Sequence, residues 1–462
     1  MRYFLDPFGC VKNQVDAETM MAHLNGSGWV SSDDPAGADL IIVNSCGFIE
    51  SAKQESINAV LDWRKQYPGK KIILAGCLSQ RYAAELAESL PEADILFGNG
   101  DLSRISEAAG RAMDGRPKRG GAAFGAPGLL PAASPCPSPA ALPGQRPLLS
   151  LPGSAYIKIS EGCDNRCTFC AIPLIRGSLV CRPVPDIIAE CQALIRRGVR
   201  ELNLIGQDTG SFGKNKTAAP GPGGTEAAGE TLPLLLERIS RLEGRFWVRL
   251  LYIHPDHFPL PILDILDRDR RFLPYFDIPF QHGSAKILAA MNRRGNAETY
   301  LRLIGTIRKR LPAAVIRSTF MTGFPGETDE DFAALLDFQE KARLDWAGCF
   351  AYSREEGTPA YTMKNQTPKK TARRRKALLE ERQIPITEKN MDRFTGRDFD
   401  VLVEEKIEGE DGLYLGRLYC QAPEVDGAAV IHGGGRPLEP GTFISGRVFG
   451  REGFDLQVSP RV

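Results

Sequence analysis

Three cysteines crowd into one short stretch of the chain. Cys163, Cys167 and Cys170 follow the pattern CxxxCxxC, directly after an apolar strand-like run at residues 155–160. Thiols spaced this closely converge on one centre, and soft thiolate ligands in that number suit an iron–sulfur cluster or zinc. Structural zinc sites take four ligands, usually as paired clips, and the sequence holds no second CxxC or HxxxH clip. These triplet cysteines therefore predict an iron–sulfur cluster in which one iron stays open for a substrate or cofactor.

Three further cysteines lie far apart in sequence but in similar settings. Cys10, Cys46 and Cys77 each follow an apolar run, and each has glycine close by. The carboxyl ends of neighbouring parallel strands form a ligand crevice, and glycine lets the backbone approach a bulky ligand there. The alternative is that cysteine is a small apolar residue common in buried strands. Three equivalent positions favour a second cluster, held by these strand-end cysteines and again with an open iron.

Composition and charge exclude little. The 462 residues are 42% hydrophobic and 25% charged, with a formal net charge of +1, which is ordinary for a soluble protein. No global argument for nucleic acid or membrane binding follows from that balance. No apolar run is long enough for a bilayer, and the N-terminus lacks the features of a signal peptide, so a cytoplasmic location is expected. Eleven cysteines in a reducing compartment point to metal or catalysis.

The chain divides into four regions. Residues 1–113 alternate apolar strands with helices, which predicts an α/β domain with a doubly wound parallel sheet. Residues 114–153 are rich in glycine, alanine and proline, which predicts an extended, partly disordered linker with Cys136 as a spectator. Residues 154–394 resume the alternation with six strands and predict an open or partial β/α barrel. Residues 395–462 carry short strands with glycine-rich turns and predict a small β-barrel of about five strands.

Chemistry in a β/α barrel takes place in the loops at the carboxyl ends of its strands. The triplet cysteines follow the first strand of the central region, and polar turns follow the second, fourth and fifth strands. A glycine-rich tract at 213–230 is expected to be an inserted loop on the same rim. The basic run at 369–376 begins a helix, for which a solvated face is favoured over contact with RNA.

The triplet cysteines, with Phe169 just before the last of them, resemble the radical S-adenosylmethionine (SAM) enzymes, in which the open iron chelates SAM. Outside the linker and the insertion, the chain is similar to the methylthiotransferase family, which joins a three-cysteine domain, a radical SAM barrel and a C-terminal TRAM barrel. Four runs resemble the RimO type of that family, at residues 44–53, 170–177, 352–360 and 422–427. The sister MiaB type, which modifies tRNA, more usually shows Ser-Pro-Arg-Pro-Gly-Thr in the third run.

The resemblance implies a transferase with two 4Fe-4S clusters, one on each cysteine set, that uses two molecules of SAM per turnover. One SAM would be cleaved to a 5′-deoxyadenosyl radical, which would take hydrogen from the unactivated β-carbon of an aspartate in ribosomal protein S-twelve. Sulfur carried by the auxiliary cluster on the strand-end cysteines would couple to that carbon, and a second SAM would supply the methyl group. The implied partners are that ribosomal protein or the small ribosomal subunit, an electron donor and a sulfur donor. Neither nucleic acid nor membrane is required.

Four residues near the triplet are predicted to contact SAM: Phe169, Arg176, Gln207 and Asp208. Arg176 could instead pair with the carboxylate of the target aspartate or serve the loop structurally. Gln207 and Asp208 could equally be polar loop residues that cap a helix.

Other polar residues of this region are expected to have supporting roles. His254 and His257 are predicted to lie on the rim, and His282 to be a structural histidine. The remaining cysteines near or within the barrel are expected not to be ligands: Cys181 near the site, Cys191 and Cys349 in the core.

Two alternatives stay open. A tRNA methylthiotransferase would share the chemistry but bind nucleic acid, whereas residues 395–462 hold twelve acidic and seven basic residues, a net charge of −5. An acidic barrel is a poor clamp for phosphates and suits a basic ribosomal protein. The remote alternative, a non-catalytic iron–sulfur electron carrier, does not need such elaborate loops.

Overall fold

The computed structural model describes residues 1–114, 146–214 and 230–461. Most of the predicted linker, with Cys136, and most of the predicted insertion lie outside the described residues. Three large sheets organise the described part of the chain, two of them parallel and one closed into a barrel, and a fourth sheet has only two short strands.

The N-terminal sheet is parallel and covered on both faces. Its strands are β1 (Arg2–Pro7), β2 (Val30–Ser31), β3 (Leu40–Ser45), β4 (Lys71–Gly76) and β5 (Ile95–Phe97), and its helices are α1 (Val11–Gly26), α2 (Glu50–Gln66), α3 (Cys77–Arg81), α4 (Ala83–Ser89) and α5 (Ile105–Met113). The strand order is β2-β1-β3-β4-β5. Side chains alternate along β3, so that Leu40 and Ile42 pack with α1 and α5, while Ile41 and Val43 pack with α2 and α4. The predicted doubly wound sheet is confirmed.

The central sheet has six parallel strands and two open edges. In chain order these strands are β6 (Ser154–Lys158), β9 (Glu201–Ile205), β10 (Trp247–Leu250), β11 (Phe272–Asp277), β12 (Val315–Thr322) and β13 (Trp346–Ala351). Two further short strands, β7 (Ser160–Glu161) and β8 (Val180–Cys181), pair antiparallel in a separate two-stranded sheet. The helices are α6 (Ile172–Arg176), α7 (Val184–Arg196), α8 (Leu232–Ile239), α9 (Ile262–Arg268), α10 (Ala285–Ala290), α11 (Ala297–Arg310), α12 (Asp329–Ala342) and α13 (Lys369–Met391). The order β13-β12-β11-β10-β9-β6 is that of an open β/α barrel, as predicted.

The C-terminal domain is a closed five-stranded barrel, as predicted. Its strands are β14 (Asp398–Lys406), β15 (Leu413–Arg417), β16 (Ala429–His432), β17 (Phe443–Glu452) and β18 (Asp455–Pro460), which close in the order β14-β15-β16-β18-β17. Its core is continuous with one face of the central sheet, where Tyr156, Trp247, Tyr275 and Trp346 are buried against barrel residues such as Val401. The other face of the central sheet packs against its own helices.

A buried charge network joins the barrel to the central sheet. Glu201 on β9 accepts hydrogen bonds from Arg249 on β10 at 2.9 Å and from Arg417 on β15 at 2.5 Å. Arg417 also donates to Glu404 on β14 at 2.6 Å. Glu201 and Arg249 are fully buried, so their charges depend on close partners of the protein for compensation.

Some local predictions need correction. The last residues of the predicted linker are firmly packed, since buried Arg146 pairs with Glu18 and, at 2.9 Å, with Glu190. The basic run of α13 is not wholly solvated, because Arg375 is buried against Glu327 at 2.7 Å. None of the described helices is long and apolar enough to cross a membrane.

Candidate active site

The triplet cysteines occupy the loop between β7 and α6, beyond the carboxyl end of β6. The loop is fastened at two points, because the Cys163 N–H donates to the Gly177 carbonyl at 3.1 Å and the Thr168 N–H to that of Met291 at 3.2 Å. Gly162 enters the loop with φ +69°, and a Cβ atom there would lie 2.1 Å from the Ser178 carbonyl oxygen. Only glycine fits at that position, which sets the direction in which Cys163 points.

The strand-end cysteines meet at one edge of the N-terminal sheet, as their positions predict. Cys10 precedes α1, Cys46 follows β3, and Cys77 begins α3 directly after β4. A Cβ atom on Gly47 would lie 2.7 Å from the Cys77 carbonyl oxygen, so the two loops approach each other through glycine. Three parallel strands thus deliver three thiols to a common crest.

All six cysteines line one cavity of about 440 Å³. Its walls come from the N-terminal domain, from the carboxyl ends of the central strands, and from Pro423 and Val425 of the terminal barrel. The two cysteine sets, predicted separately from the sequence, therefore face a shared space.

The donor set fits iron–sulfur clusters. Burial raises the pKa of the Cys77, Cys163 and Cys170 thiols to about 12 each, so a positive metal centre would be needed to hold them as thiolates. Among the described residues, no three His, Cys, Asp or Glu side chains are grouped tightly enough for a single metal ion. A cluster binds each thiolate through a different iron, so its ligands need not meet at one point.

Arg176 connects the two halves of the site. Its guanidinium donates to Glu161 at 3.0 Å in the central domain and to Asp16 at 2.8 Å, Asn13 at 2.7 Å and the sulfur of Cys77 at 3.2 Å in the N-terminal domain. Burial alone would raise the pKa of Glu161, but Arg176 and Lys158 lower it to about 2. Lys158 bridges the same two carboxylates. The predicted partner of Arg176, a carboxylate, is thus supplied by the protein itself, and the geometry does not support a SAM contact.

We expect Arg176→Ala to reduce product formation about 10- to 100-fold, because Cys77 loses its charged donor and the two domains lose their fork-like tie. Product formation by Arg176→Lys should lie between that of wild type and that of Arg176→Ala, since lysine keeps the charge but lacks the planar fork of the guanidinium. The measurement is product by mass spectrometry on preparations matched for iron content. Wild-type product levels in Arg176→Ala would show that this contact does not position the site.

Asp208 is buried in a hydrogen-bond hub. It caps the short helical turn Thr209–Ser211 by accepting from the Gly210 N–H at 3.0 Å, and it also accepts from Ser211 and Asn165. Burial opposes ionisation, yet His257, Ser211 and Asn165 hold the pKa of Asp208 well below its usual value. The capping interpretation is therefore the one that the geometry supports, and the carboxylate is already used by protein partners.

Gln207 and Phe169 line the cavity, where both were expected. Phe169 also packs on a small apolar cluster with Met291 and Phe324. Both side chains remain candidates for contact with SAM.

The histidines and remaining cysteines fall mainly where they were expected. His254 lines the cavity, and burial lowers its pKa to about 3, so it is neutral. His257 contacts Asp208 at 2.9 Å. His282 is fully buried and accepts from the Ser284 N–H at 2.9 Å. Among the described residues, the cysteines outside the two sets do not line the cavity. Cys181 accepts from the Gly213 N–H, and Cys191, Cys349 and Cys420 are buried.

Sequence reasoning missed several charged residues of the cavity, three of which are buried. Arg293 lies beside Cys167, where its charge favours the thiolate, and Asp277 and Lys12 are buried in the same wall. Burial raises the pKa of Asp277 and lowers that of Lys12 to about 8. The only signals were a polar residue at the end of an apolar strand, for Asp277, and a lysine two positions after a strand-end cysteine, for Lys12.

Comparison with known families divides the chain in the same way as the three sheets. Residues 2–98 match the Uncharacterized protein family UPF0004, residues 157–338 match the Radical SAM superfamily, and residues 395–459 match the TRAM domain.

Similar proteins extend over the full length. The ribosomal protein uS12 methylthiotransferase RimO of Treponema denticola is 48% identical, over 98% of this chain and 99% of its own. Proteins of the same name from Carboxydothermus hydrogenoformans and Pelotomaculum thermopropionicum are 38% and 40% identical, over 99% and 97% of this chain and 99% and 96% of their own.

Among solved structures, the radical S-adenosylmethionine methyltransferase TsrM from Kitasatospora setae is similar in fold. It has a TM-score of 0.57 at 15% identity, over 78% of this chain and 73% of that one. At that identity the likeness concerns the fold alone. The full-length relatives and the cysteine-lined cavity lead to one conclusion: the chain belongs to the RimO family of radical SAM methylthiotransferases.

Proposed function

We propose that the protein adds a methylthio group to the β-carbon of an aspartate in ribosomal protein uS12. The observation that carries this proposal is the single cavity lined by two sets of three cysteines, in a chain whose full-length relatives are named ribosomal protein uS12 methylthiotransferases. Insertion of sulfur at an unactivated carbon requires a radical source and a sulfur source at one place. This cavity has one set of three cysteine ligands for each of the two clusters that would provide them.

We further propose that the triplet cysteines hold the cluster that binds SAM and that the strand-end cysteines hold the auxiliary cluster. When bound, these groups and SAM supply the radical that removes hydrogen and the sulfur and methyl group that replace it. The protein positions these groups against the substrate and shields the reaction from competing reactions. Phe169 and Gln207 form part of the SAM-facing wall, Arg293 steadies Cys167, and Arg176 steadies Cys77 against the central domain.

The mouth of the cavity suits a segment of a partner protein. Exposed apolar side chains from each domain lie on its lining: Phe48, Phe350 and Val425 are 36%, 54% and 54% exposed. Large apolar side chains left in water at a concave site favour contact with another macromolecule. The net charge of −5 on residues 395–462 complements a basic ribosomal protein. We place the reaction in the cytoplasm, with an electron donor and a sulfur donor as further partners.

The test offers both candidate substrates to anaerobic protein with reconstituted clusters. SAM, reductant and sulfide are added, and uS12 and unmodified tRNA are supplied in separate reactions. Mass spectrometry then locates any methylthio group. We expect modification of the aspartate of uS12 and none of tRNA.

Modification of tRNA alone would overturn the proposed substrate while leaving the chemistry in place. Reversible reduction of the clusters with no deoxyadenosine from SAM would favour an electron carrier instead.

A further inference from the structure

Lys12 is a buried cation on the wall of the cavity. It lies in the first turn of α1, two residues after Cys10, and only 6% of its surface is exposed. Its ammonium nitrogen lies 2.9 Å from the centroid of the Tyr252 ring, which belongs to the central domain. The side chain therefore crosses from one cysteine-bearing domain to the other inside the shared space.

The other buried or partly buried cations of the cavity have partners. Arg176 pairs with Asp16 and Glu161, Arg317 with Asp426 at 2.5 Å, and Arg293 donates to the Pro279 carbonyl at 2.7 Å. In the part of the chain that the structure describes, the Lys12 ammonium has neither a carboxylate within 4 Å nor a hydrogen bond. The remaining cation of the lining, Arg166, is exposed.

The acidic groups that face Lys12 are engaged elsewhere. Asp277 attracts it from a distance but accepts the Tyr252 N–H at 3.1 Å and lies 4.0 Å from Arg317. Glu161 is paired with Arg176 and Lys158. Cys10 is a proposed cluster ligand. None of these groups neutralises the ammonium directly.

The location of Lys12 is unfavourable for a cation in two independent ways. Burial away from water costs free energy unless an opposite charge is close. The first turn of a helix also presents unsatisfied N–H groups and the positive end of the helix dipole, which repel a cation and attract an anion. Both effects are relieved if an anion enters the cavity at this point.

The residue beneath Lys12 has a strained backbone that its surroundings enforce. Tyr252 has φ +62°, in the left-handed region that non-glycine residues rarely adopt, and its N–H is tied to Asp277. Such outliers persist where the surrounding structure enforces them, commonly at functional sites. The ring supports the ammonium from one side and leaves its N–H donors for the cavity.

We propose that Lys12 binds the side-chain carboxylate of the target aspartate and so selects aspartate as the residue to be modified. This inference rests on the proposed function, because it concerns the same substrate. The β-carbon is bonded directly to the carboxyl carbon. A carboxylate held at Lys12 therefore keeps the β-carbon inside the cavity that both cysteine sets line.

The experiment is a double-mutant cycle on binding. Wild-type holoenzyme and Lys12→Met, both anaerobic and matched for iron, are titrated into fluorescently labelled uS12 carrying either the target aspartate or asparagine. Asparagine keeps the shape and removes the charge, and methionine does the same for lysine. For each enzyme, the affinity for the aspartate form is divided by the affinity for the asparagine form. Comparing this ratio between wild type and Lys12→Met cancels any general damage that the substitution does to the enzyme.

We expect wild type to bind the aspartate form about 10- to 100-fold more tightly than the asparagine form, and Lys12→Met to lose nearly all of that preference. Lys12→Arg should keep part of it. Lys65→Met, which removes a charge from the last turn of α2, should keep all of it.

An unchanged aspartate preference in Lys12→Met would overturn the proposal. A second titration, with SAM alone, separates the other possible carboxylate: weakened SAM binding with the preference intact would assign Lys12 to SAM and equally overturn it. If wild type instead binds and modifies neither form of uS12, the failure lies in the proposed function.

Discussion

Cys170→Ala and Cys77→Ala should fail in different ways. We expect Cys170→Ala to lower the formation of 5′-deoxyadenosine from SAM by at least about a thousandfold, because the cluster that binds SAM would lose one of three ligands. Cys77→Ala should still form deoxyadenosine but lose methylthio transfer by a similar factor, since only the proposed sulfur-carrying site would be damaged. Chromatography of deoxyadenosine and mass spectrometry of uS12 measure the two outcomes in one reaction.

The matched control is Cys181→Ala. This thiol lies near the site and accepts a hydrogen bond from the Gly213 N–H at 3.2 Å, but it is outside both sets. It should keep both activities. Equal loss of both products in Cys77→Ala and Cys170→Ala would contradict the assignment of separate roles, because it would mean that the cavity acts as one indivisible site.

Glu201→Ala should destabilise the docking of the terminal barrel by about 3–5 kcal/mol. The substitution leaves Arg249 and Arg417 as buried cations, with only Glu404 remaining beside Arg417, and an unpaired buried charge is costly. Urea unfolding followed by tryptophan fluorescence measures the effect, because Trp247 and Trp346 pack against the barrel. As a control, Asp400→Ala breaks an exposed pair with Arg245 that also joins the two domains, and should cost at most about 1 kcal/mol.

The pH dependence of unfolding gives an independent check of the stabilisation that Glu201 provides. Burial alone would raise the pKa of Glu201, but Arg417 and Arg249 lower it from 4.5 to about 2. A folded-state pKa below the unfolded one means that the stabilisation is complete above about pH 4.5 and is lost as the pH falls towards 2. The difference in stability between wild type and Glu201→Ala should therefore shrink across that window. A difference that stays constant down to pH 2 would show that Glu201 is not held ionised by its partners.

Local pattern was enough for the framework of this protein. Apolar strands alternating with helices specify parallel sheets whatever lies beyond them, because burial on both faces demands that pattern. The same reasoning brought Cys10, Cys46 and Cys77 to one crest, since the carboxyl ends of parallel strands share an edge. The close spacing of Cys163, Cys167 and Cys170 required no knowledge of the fold.

The shared cavity and its charges were decided by tertiary structure alone. Arg176 meets Asp16 across 160 positions of sequence, and Arg417 meets Glu201 across 216. No local pattern shows which carboxylates these arginines pair with, because the partner of a buried charge depends on which other domain covers it. Lys12 is the clearest case. Sequence places it on the first turn of a helix, where lysine is normally solvated, and only the docking of the central domain over that turn removes the water and leaves its charge facing the cavity.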